Sequence, residues 1–237
     1  MKTGIVVGTY NNALHVGATL ASVRGQEDAD WQCVVVDNGS TDDTVARVRA
    51  LIEGDTRFQL FTKANEGPSA GRNAGFGLLP KEVRFVHFLD GDDVLAPGFI
   101  RRLTGYLEEN PAAGLVACQF DFIDEGGRFL KHGFRSRYRA GLWGIPRRLR
   151  DEERVTPFAA FFAATGQGPF AVFRREIFAR ATGYEPDFWS HEDCDMFCQM
   201  ALLAEAHQLP DRLYFKRRHA GNLTGSAKAS YPKFRKK

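Results

Sequence analysis

The chain has 237 residues, 43% hydrophobic and 26% charged, with a formal net charge of +3. That length suits one large domain or two small ones, and so small a net charge argues against a general nucleic-acid role. No apolar stretch nears the roughly 18 residues of a membrane span, no signal-peptide core follows Met1, and Cys33, Cys118, Cys194 and Cys198 complete no zinc or disulfide pattern, so a cytosolic chain with reduced thiols is expected.

Thr3–Gly8 is apolar and β-branched and predicts a strand. Residues 11–23 have helical spacing, with Leu14, Ala18, Leu20 and Ala21 available for an inner face. Trp31–Val36 predicts a second strand leading into Asp37. Ser40 reads as the N-cap of the next helix, with Asp43 at N3 of a capping-box-like start. Val45, Val48, Leu51 and Ile52 follow at helical spacing. Phe58–Phe61 predicts a short strand, and Pro68 the first turn of a helix running to about Leu79. Val83–Leu89 predicts a fourth strand, Pro97–Glu109 a helix closed by Asn110-Pro111, and Leu115–Phe120 a fifth strand.

The second half is less regular. It predicts a turn around Gly126-Gly127, a long basic and aromatic loop over Lys131–Arg150, and an apolar helix over Phe158–Ala164. A strand (Phe170–Arg174), a short helix (Arg175–Ala181), a longer helix (Glu192–Ala206) and a last strand (Leu213–Arg217) follow. The βα alternation of the first half implies an α/β fold with a mainly parallel, helix-covered sheet.

The chemistry gathers in four loops after strand ends: Thr9-Tyr10-Asn11, Asp37-Asn38-Gly39-Ser40, Asn65-Glu66-Gly67 with Arg72, and Asp90-Gly91-Asp92-Asp93. In a parallel sheet such loops share one edge, where open α/β sheets bind ligands. Three carboxylates in four residues repel one another unless a cation sits among them, and Mg²⁺ or Mn²⁺ with phosphate oxygens suits that donor set. The bland alternative is an acidic turn before the helix at Pro97, and Asp37 alone fits a helix-entry turn equally well. Taken together, the loops supply a carboxylate for a base N–H, an Arg for phosphate and a metal site, as a nucleoside diphosphate requires. There is no Gly-x-Gly-x-x-Gly after the first strand and no Gly-Lys-Ser/Thr loop.

These residues resemble the family 2 glycosyltransferases, whose fold is GT-A. Val6-Val7-Gly8-Thr9-Tyr10-Asn11 resembles their opening strand, and Asp37-Asn38-Gly39-Ser40-Thr41-Asp42 their Asp-Asp-Gly-Ser-Thr-Asp signature, with Asn38 in place of the second Asp. Asn65-Glu66-Gly67-Pro68-Ser69-Ala70-Gly71-Arg72-Asn73 resembles their third block and Asp90-Gly91-Asp92 their Asp-x-Asp motif. His191-Glu192-Asp193 resembles their Glu-Asp motif, and Arg218-His219-Ala220-Gly221-Asn222 their late His-containing segment. The matches run from about Thr3 to Ser226.

The resemblance implies an inverting transfer of a sugar from a nucleotide-sugar donor. It places Thr9, Tyr10, Asn11, Asp37, Asn65, Gly67, Arg72, Asp90 and Gly91 at the nucleotide, and Asp92 with His219 at Mn²⁺ or Mg²⁺. Asp193 is expected to be the base, and Glu192, Trp189 and Trp143 to meet the acceptor. A helix N-terminus lowers the pKa of Asp193, burial near Phe188 and Trp189 raises it, and the sequence leaves that contest open. Residues 1–96 are expected to bind the donor, 97–226 to bind the acceptor and carry the base, and 227–237 to form a basic tail. The acceptor is expected to be a glycan or a lipid-linked sugar, with at most weak peripheral contact at the inner face of a membrane, about 1 kcal/mol per basic residue. Asp37 suggests uracil, with thymine and guanine as alternatives. A nucleotidyltransferase making nucleotide sugars and a non-catalytic nucleotide-sugar or glycan-binding module are the other readings; the first expects a Gly-rich phosphate loop, and the second tolerates loss of Asp193.

Overall fold

A computed structural model of the chain describes residues 2–133, 153–155, 170–188 and 192–222. The expected helix Phe158–Ala164, most of the basic loop, Trp143, Trp189, His191 and the basic tail lie outside the described residues.

The first half alternates as its sequence pattern requires: β1 (Thr3–Thr9), α1 (Val16–Arg24), β2 (Trp31–Asp37), α2 (Thr44–Ile52), β3 (Phe58–Thr62), α3 (Pro68–Leu78) and β4 (Phe85–Asp90). There follow β5 (Val94–Leu95), α4 (Phe99–Glu109), β6 (Ala113–Ile123), β7 (Phe129–His132), β8 (Glu153–Val155) and β9 (Ala171–Arg174). A short helix α5 (Arg175–Phe178), helix α6 (Glu192–Leu203) and the long strand β10 (Glu205–Arg217) complete the described order.

One sheet runs β3-β2-β1-β4-β9-β6-β10-β5, with β7 on β6 and β8 on β10. Strands β3, β2, β1 and β4 are mutually parallel, as the alternation predicts. Beyond β4 the sheet becomes mixed. Strand β9 is antiparallel to both β4 and β6, whereas β10 is parallel to β6.

Strands buried on both faces need apolar residues at every position. Ile5, Val7, Cys33 and Val35 belong to the core beneath α1 and α4, with Leu20, Val23, Phe99 and Leu103. Their neighbours Val6, Val34 and Val36 belong to a second core on the other face, with Phe178, Met196 and Met200. Helix α3 lies close on that second face, since a Cβ at Gly75 would stand 2.3 Å from Val6 Cγ1.

Several boundaries differ from expectation. Helix α1 starts at Val16 rather than at 11 because the backbone of Asn11 turns left-handed (φ 49°) and residues 11–13 hydrogen-bond to the next loop. Ser40 does not cap α2; its hydroxyl donates to Asp37, and Asp43 precedes the helix without a side-chain cap. Helix α6 stops at Leu203, and β10 begins at Glu205, eight positions before the expected Leu213. Pro210 hid the first part of that strand in the sequence, and the pairing with β6 accommodates it by shifting register between Gln208 and Arg212.

The topology fixes where a ligand belongs. The chain leaves β1 for β2 on one side and later places β4 on the other, so the carboxyl ends of these three strands border a switch point. Register puts Thr9 opposite Asp37 and Gly8 opposite Asp90 at that edge.

Candidate active site

The loops after β1 and β2 are stitched together by the motif residues themselves. Asn38 N–H donates to Thr9 O (2.9 Å), Asn11 N–H to Ser40 Oγ (2.9 Å) and Thr41 N–H to Asn11 Oδ1 (2.8 Å). Asn12 N–H donates to Thr44 Oγ1 (2.8 Å). The Asp37 carboxylate is buried and accepts from Gly39 N–H (3.1 Å), Ser40 N–H (3.0 Å) and the Ser40 hydroxyl. Tyr10 stands beside it with 47% of its surface exposed, a face open to a stacking partner. The third loop joins through Asn38 Nδ2, which donates to Gly67 O (3.5 Å), while Asn65 Oδ1 accepts from Gly67 N–H (3.1 Å). Thr9, Tyr10, Asn11, Asp37, Asn65 and Gly67 therefore occupy one set of adjoining loops.

Between β4 and β5 the chain turns through Gly91, whose N–H donates to Gly8 O (2.8 Å). A Cβ there would lie 2.8 Å from Gly8 O and 2.9 Å from Thr9 Cβ, so the close approach of this loop to β1 requires glycine. Asp90, Asp92 and Asp93 each offer an oxygen within a 4.8 Å group. Their surroundings separate them. Asp93, 1% exposed, accepts from the Tyr214 hydroxyl (2.6 Å) and Arg217 N–H (2.8 Å). Burial, reinforced by Asp92, holds its pKa well above the ordinary carboxylate value. Burial also works against the Asp90 anion, but Arg72 and Lys216 outweigh it and its pKa is lowered. Asp92 Oδ2 meets His219 Nε2 (2.9 Å) and accepts from Asn222 Nδ2 (3.1 Å), so the late His segment arrives at the Asp-x-Asp loop.

Arg72 lies 8% exposed on the inner face of α3 and is occupied by carboxylates rather than turned toward open space. Its Nη1 donates to Glu192 (2.6 Å) and its Nη2 to Asp90 (2.8 Å), with the Tyr184 ring centroid 5.2 Å from the guanidinium. Glu192 is correspondingly buried in this ion pair, where the sequence placed it at the acceptor. The neighbouring Asp193 resolves the contest left open above: burial, reinforced by Glu192, raises its pKa against Arg72 and Lys216. A raised carboxylate pKa suits a general base better than one depressed by a helix terminus.

Strand β10 adds residues that the sequence did not bring forward. Burial opposes the charge of Lys216, yet Asp93, Asp90, Asp193 and Asp92 around it raise its pKa. Tyr214 and Arg217 hold the Asp92–Asp93 segment, joined by Asn222 of the late His segment beyond the strand. The available signal was alternation within the expected strand Leu213–Arg217, which sends Tyr214 and Lys216 to one face. The carboxylate oxygens of Asp90 and Asp92, with the His219 imidazole at Asp92, make a donor set that can hold Mn²⁺ or Mg²⁺. The residues present therefore fit a metal at Asp92 and His219.

The profile of "Glycosyl transferase family 2" matches residues 4–181. The chain belongs to that family. It is 28% identical over 233 residues to an uncharacterized glycosyltransferase of Nostoc sp., covering 96% of this chain and 68% of that protein. It is 33% identical over 132 residues to the GalNAc(5)-diNAcBac-PP-undecaprenol beta-1,3-glucosyltransferase of Campylobacter jejuni, covering 55% of this chain and 41% of that one. Among solved structures it resembles S. aureus TarS in complex with UDP-GlcNAc, with a TM-score of 0.77, 21% identity, 96% of this chain and 61% of that chain. The mannosyltransferase PcManGT of Pyrobaculum calidifontis, in complex with GDP-Man and Mn²⁺, gives a TM-score of 0.68 at 21% identity, covering 93% of this chain and 58% of that chain. These likenesses establish the GT-A fold. The chain spans about three fifths of those solved chains and from 18% to 68% of the first curated relatives.

Proposed function

We propose that this family 2 glycosyltransferase is an inverting, metal-dependent enzyme that moves a hexose from a nucleoside-diphosphate sugar, UDP-linked first, to a hydroxyl of a glycan or lipid-linked sugar. The observation that carries this reading is the juxtaposition, in one buried charge cluster at the sheet's switch point, of the Asp-x-Asp loop and Asp193. Arg72 spans the two, touching Asp90 on β4 and Glu192 on α6.

Donor binding falls to residues 1–96 and acceptor binding to 97–226. Tyr10 offers its ring to the base, and Asp37 accepts a base N–H beside the hydrogen bonds of its own loop. Asp193 takes the proton from the acceptor hydroxyl. That oxygen bonds to the anomeric carbon from the side opposite the diphosphate, the bond from carbon to phosphate oxygen breaks, and its electron pair leaves on the nucleoside diphosphate. One displacement inverts the centre, whereas retention would need a second nucleophile. A divalent ion bound by Asp92 and His219 would supply positive charge for the diphosphate as it leaves. Lys216 adds a cation of the protein's own between Asp193 and the acidic loop, and Arg72 acts by fixing Asp90 and Glu192.

The UDP-GlcNAc complex of TarS and the undecaprenol-linked substrate in the Campylobacter enzyme's name support the choice of donor and acceptor class. No helix among the described residues is long and apolar enough to cross a membrane. Thermal-shift measurements with UDP-, GDP- and dTDP-sugars, with and without Mn²⁺, test the reading. A Mn²⁺-dependent shift with one nucleotide class, lost in Asp92→Ala, is expected; equal shifts without metal would refute metal dependence.

A further inference from the structure

Asp92 can serve a metal only if its loop holds still, and β10 is the element that fixes that loop. Strand β5 follows the loop directly and pairs with β10, Tyr214 opposite Leu95 and Phe215 opposite Val94. From β10, the Tyr214 hydroxyl and Arg217 N–H occupy the two oxygens of Asp93 (2.6 and 2.8 Å).

The Arg217 side chain reaches further. It is 3% exposed, and its Nε donates to the main-chain carbonyl of Asp92 (2.8 Å). Its Nη1 donates to the carbonyls of Asp124 (3.2 Å) and Glu125 (2.8 Å), in the turn between β6 and β7. One planar fork thus joins the backbone of the metal loop to a hairpin on a different strand pair. A guanidinium presents several donors in fixed directions, and an ammonium cannot reproduce that geometry. His219, which meets the carboxylate of Asp92, lies two residues beyond Arg217, so a single chain segment fixes both backbone and side chain of the aspartate.

We infer that Arg217, with Tyr214, is a positioning residue for the divalent cation: it touches neither ion nor substrate, and acts by holding the Asp92–Asp93 backbone to the β6–β7 turn. This rests on the metal-site reading above. Loss of such outer partners typically weakens metal binding about 10- to 100-fold.

The experiment titrates Mn²⁺ into the full-length protein without nucleotide, reading free Mn²⁺ by electron paramagnetic resonance. Arg217→Lys keeps the charge and loses the fork, and is expected to bind Mn²⁺ about 10- to 100-fold more weakly. In transfer assays its Mn²⁺ requirement should rise by a similar factor, while the donor KM at saturating Mn²⁺ stays near that of the wild type. Should Arg217→Lys not fold, Tyr214→Phe carries the test: it removes one hydroxyl from Asp93, and a smaller loss of Mn²⁺ affinity is expected. A lowered melting temperature with wild-type Mn²⁺ affinity in the variant would make the contact merely structural and overturn the inference, leaving the metal site intact. A wild-type protein that takes up no Mn²⁺, alone or with UDP, would overturn the metal reading and the inference together.

Discussion

In the proposed mechanism Asp193 carries the most chemical weight of any single residue. Its pKa is raised by burial and by Glu192, so as pH falls it takes up a proton earlier than an ordinary carboxylate of pKa 3.8. Transfer rate should therefore fall on the acid side at a higher pH than an ordinary aspartate would set. Asp193→Asn should lower kcat by roughly 10²- to 10⁴-fold, the usual worth of a general base, and leave nucleotide affinity within a few-fold. Initial rates and calorimetry check both; normal turnover would remove the base assignment. The joint pattern of motifs brought forward the acidic loop, Asp37 and the Glu192-Asp193 pair, and the structure brings the acidic loop and that pair together through Arg72. How they pair was not legible. Arg72 looks in the sequence like a phosphate ligand, yet it contacts Asp90 and Glu192, each far from it in the chain. Such a contact depends on tertiary placement, which no local pattern encodes.

At the scale of elements, helix α3 delivers Arg72 and does so by lying unusually near the sheet. Gly75 faces Val6, and a methyl group would meet Val6 Cγ1 at 2.3 Å and Val36 Cγ2 at 3.0 Å. Gly75→Ala gains about 1 kcal/mol in helix propensity, but overpacking against two stiff β-branched side chains costs about 1–3 kcal/mol. We expect a net loss of stability, read as a fall of a few degrees in thermal midpoint, and weaker nucleotide binding because Arg72 moves with the helix. A more stable variant would show that the helix can lift away freely. The strands and helices of the first half were readable from apolar runs and from Pro68 at the start of α3, since each is a local pattern, whereas the cap expected at Ser40 was not formed. Only the end of β10, Leu213–Arg217, was readable, because Pro210 interrupts the strand; the two-residue β5, which pairs with β10, was not.

For the molecule as a whole, the pH dependence of stability has a buried source outside the site. His87 on β4 is fully buried between Phe99 and Tyr214, with Nδ1 against Ala171 O (2.9 Å). Burial lowers its pKa from 6.5 to about 4, so the folded protein keeps the ring neutral where the unfolded chain protonates it. The unfolded state then binds more protons, and stability rises with pH between about 4 and 6.5. At about 1.4 kcal/mol per pH unit, some ~3 kcal/mol disappears on acidification across that window. Urea unfolding of wild type and His87→Gln between pH 4 and 7 checks this; an equally steep slope in the variant would assign the effect to another group.

The same bond to Ala171 draws attention to where β9 lies. It is inserted between β4 and β6, yet it is made only after β6 and β7 have left the ribosome. Until then a nascent chain carries β4 with one flank unpaired, and that flank is the apolar run ending in the acidic loop. Bare strand borders of this kind recruit other chains. The amino-terminal half, made alone to about Asn110, should therefore precipitate or bind chaperones, whereas a chain that includes β9 through Arg174 should stay in solution.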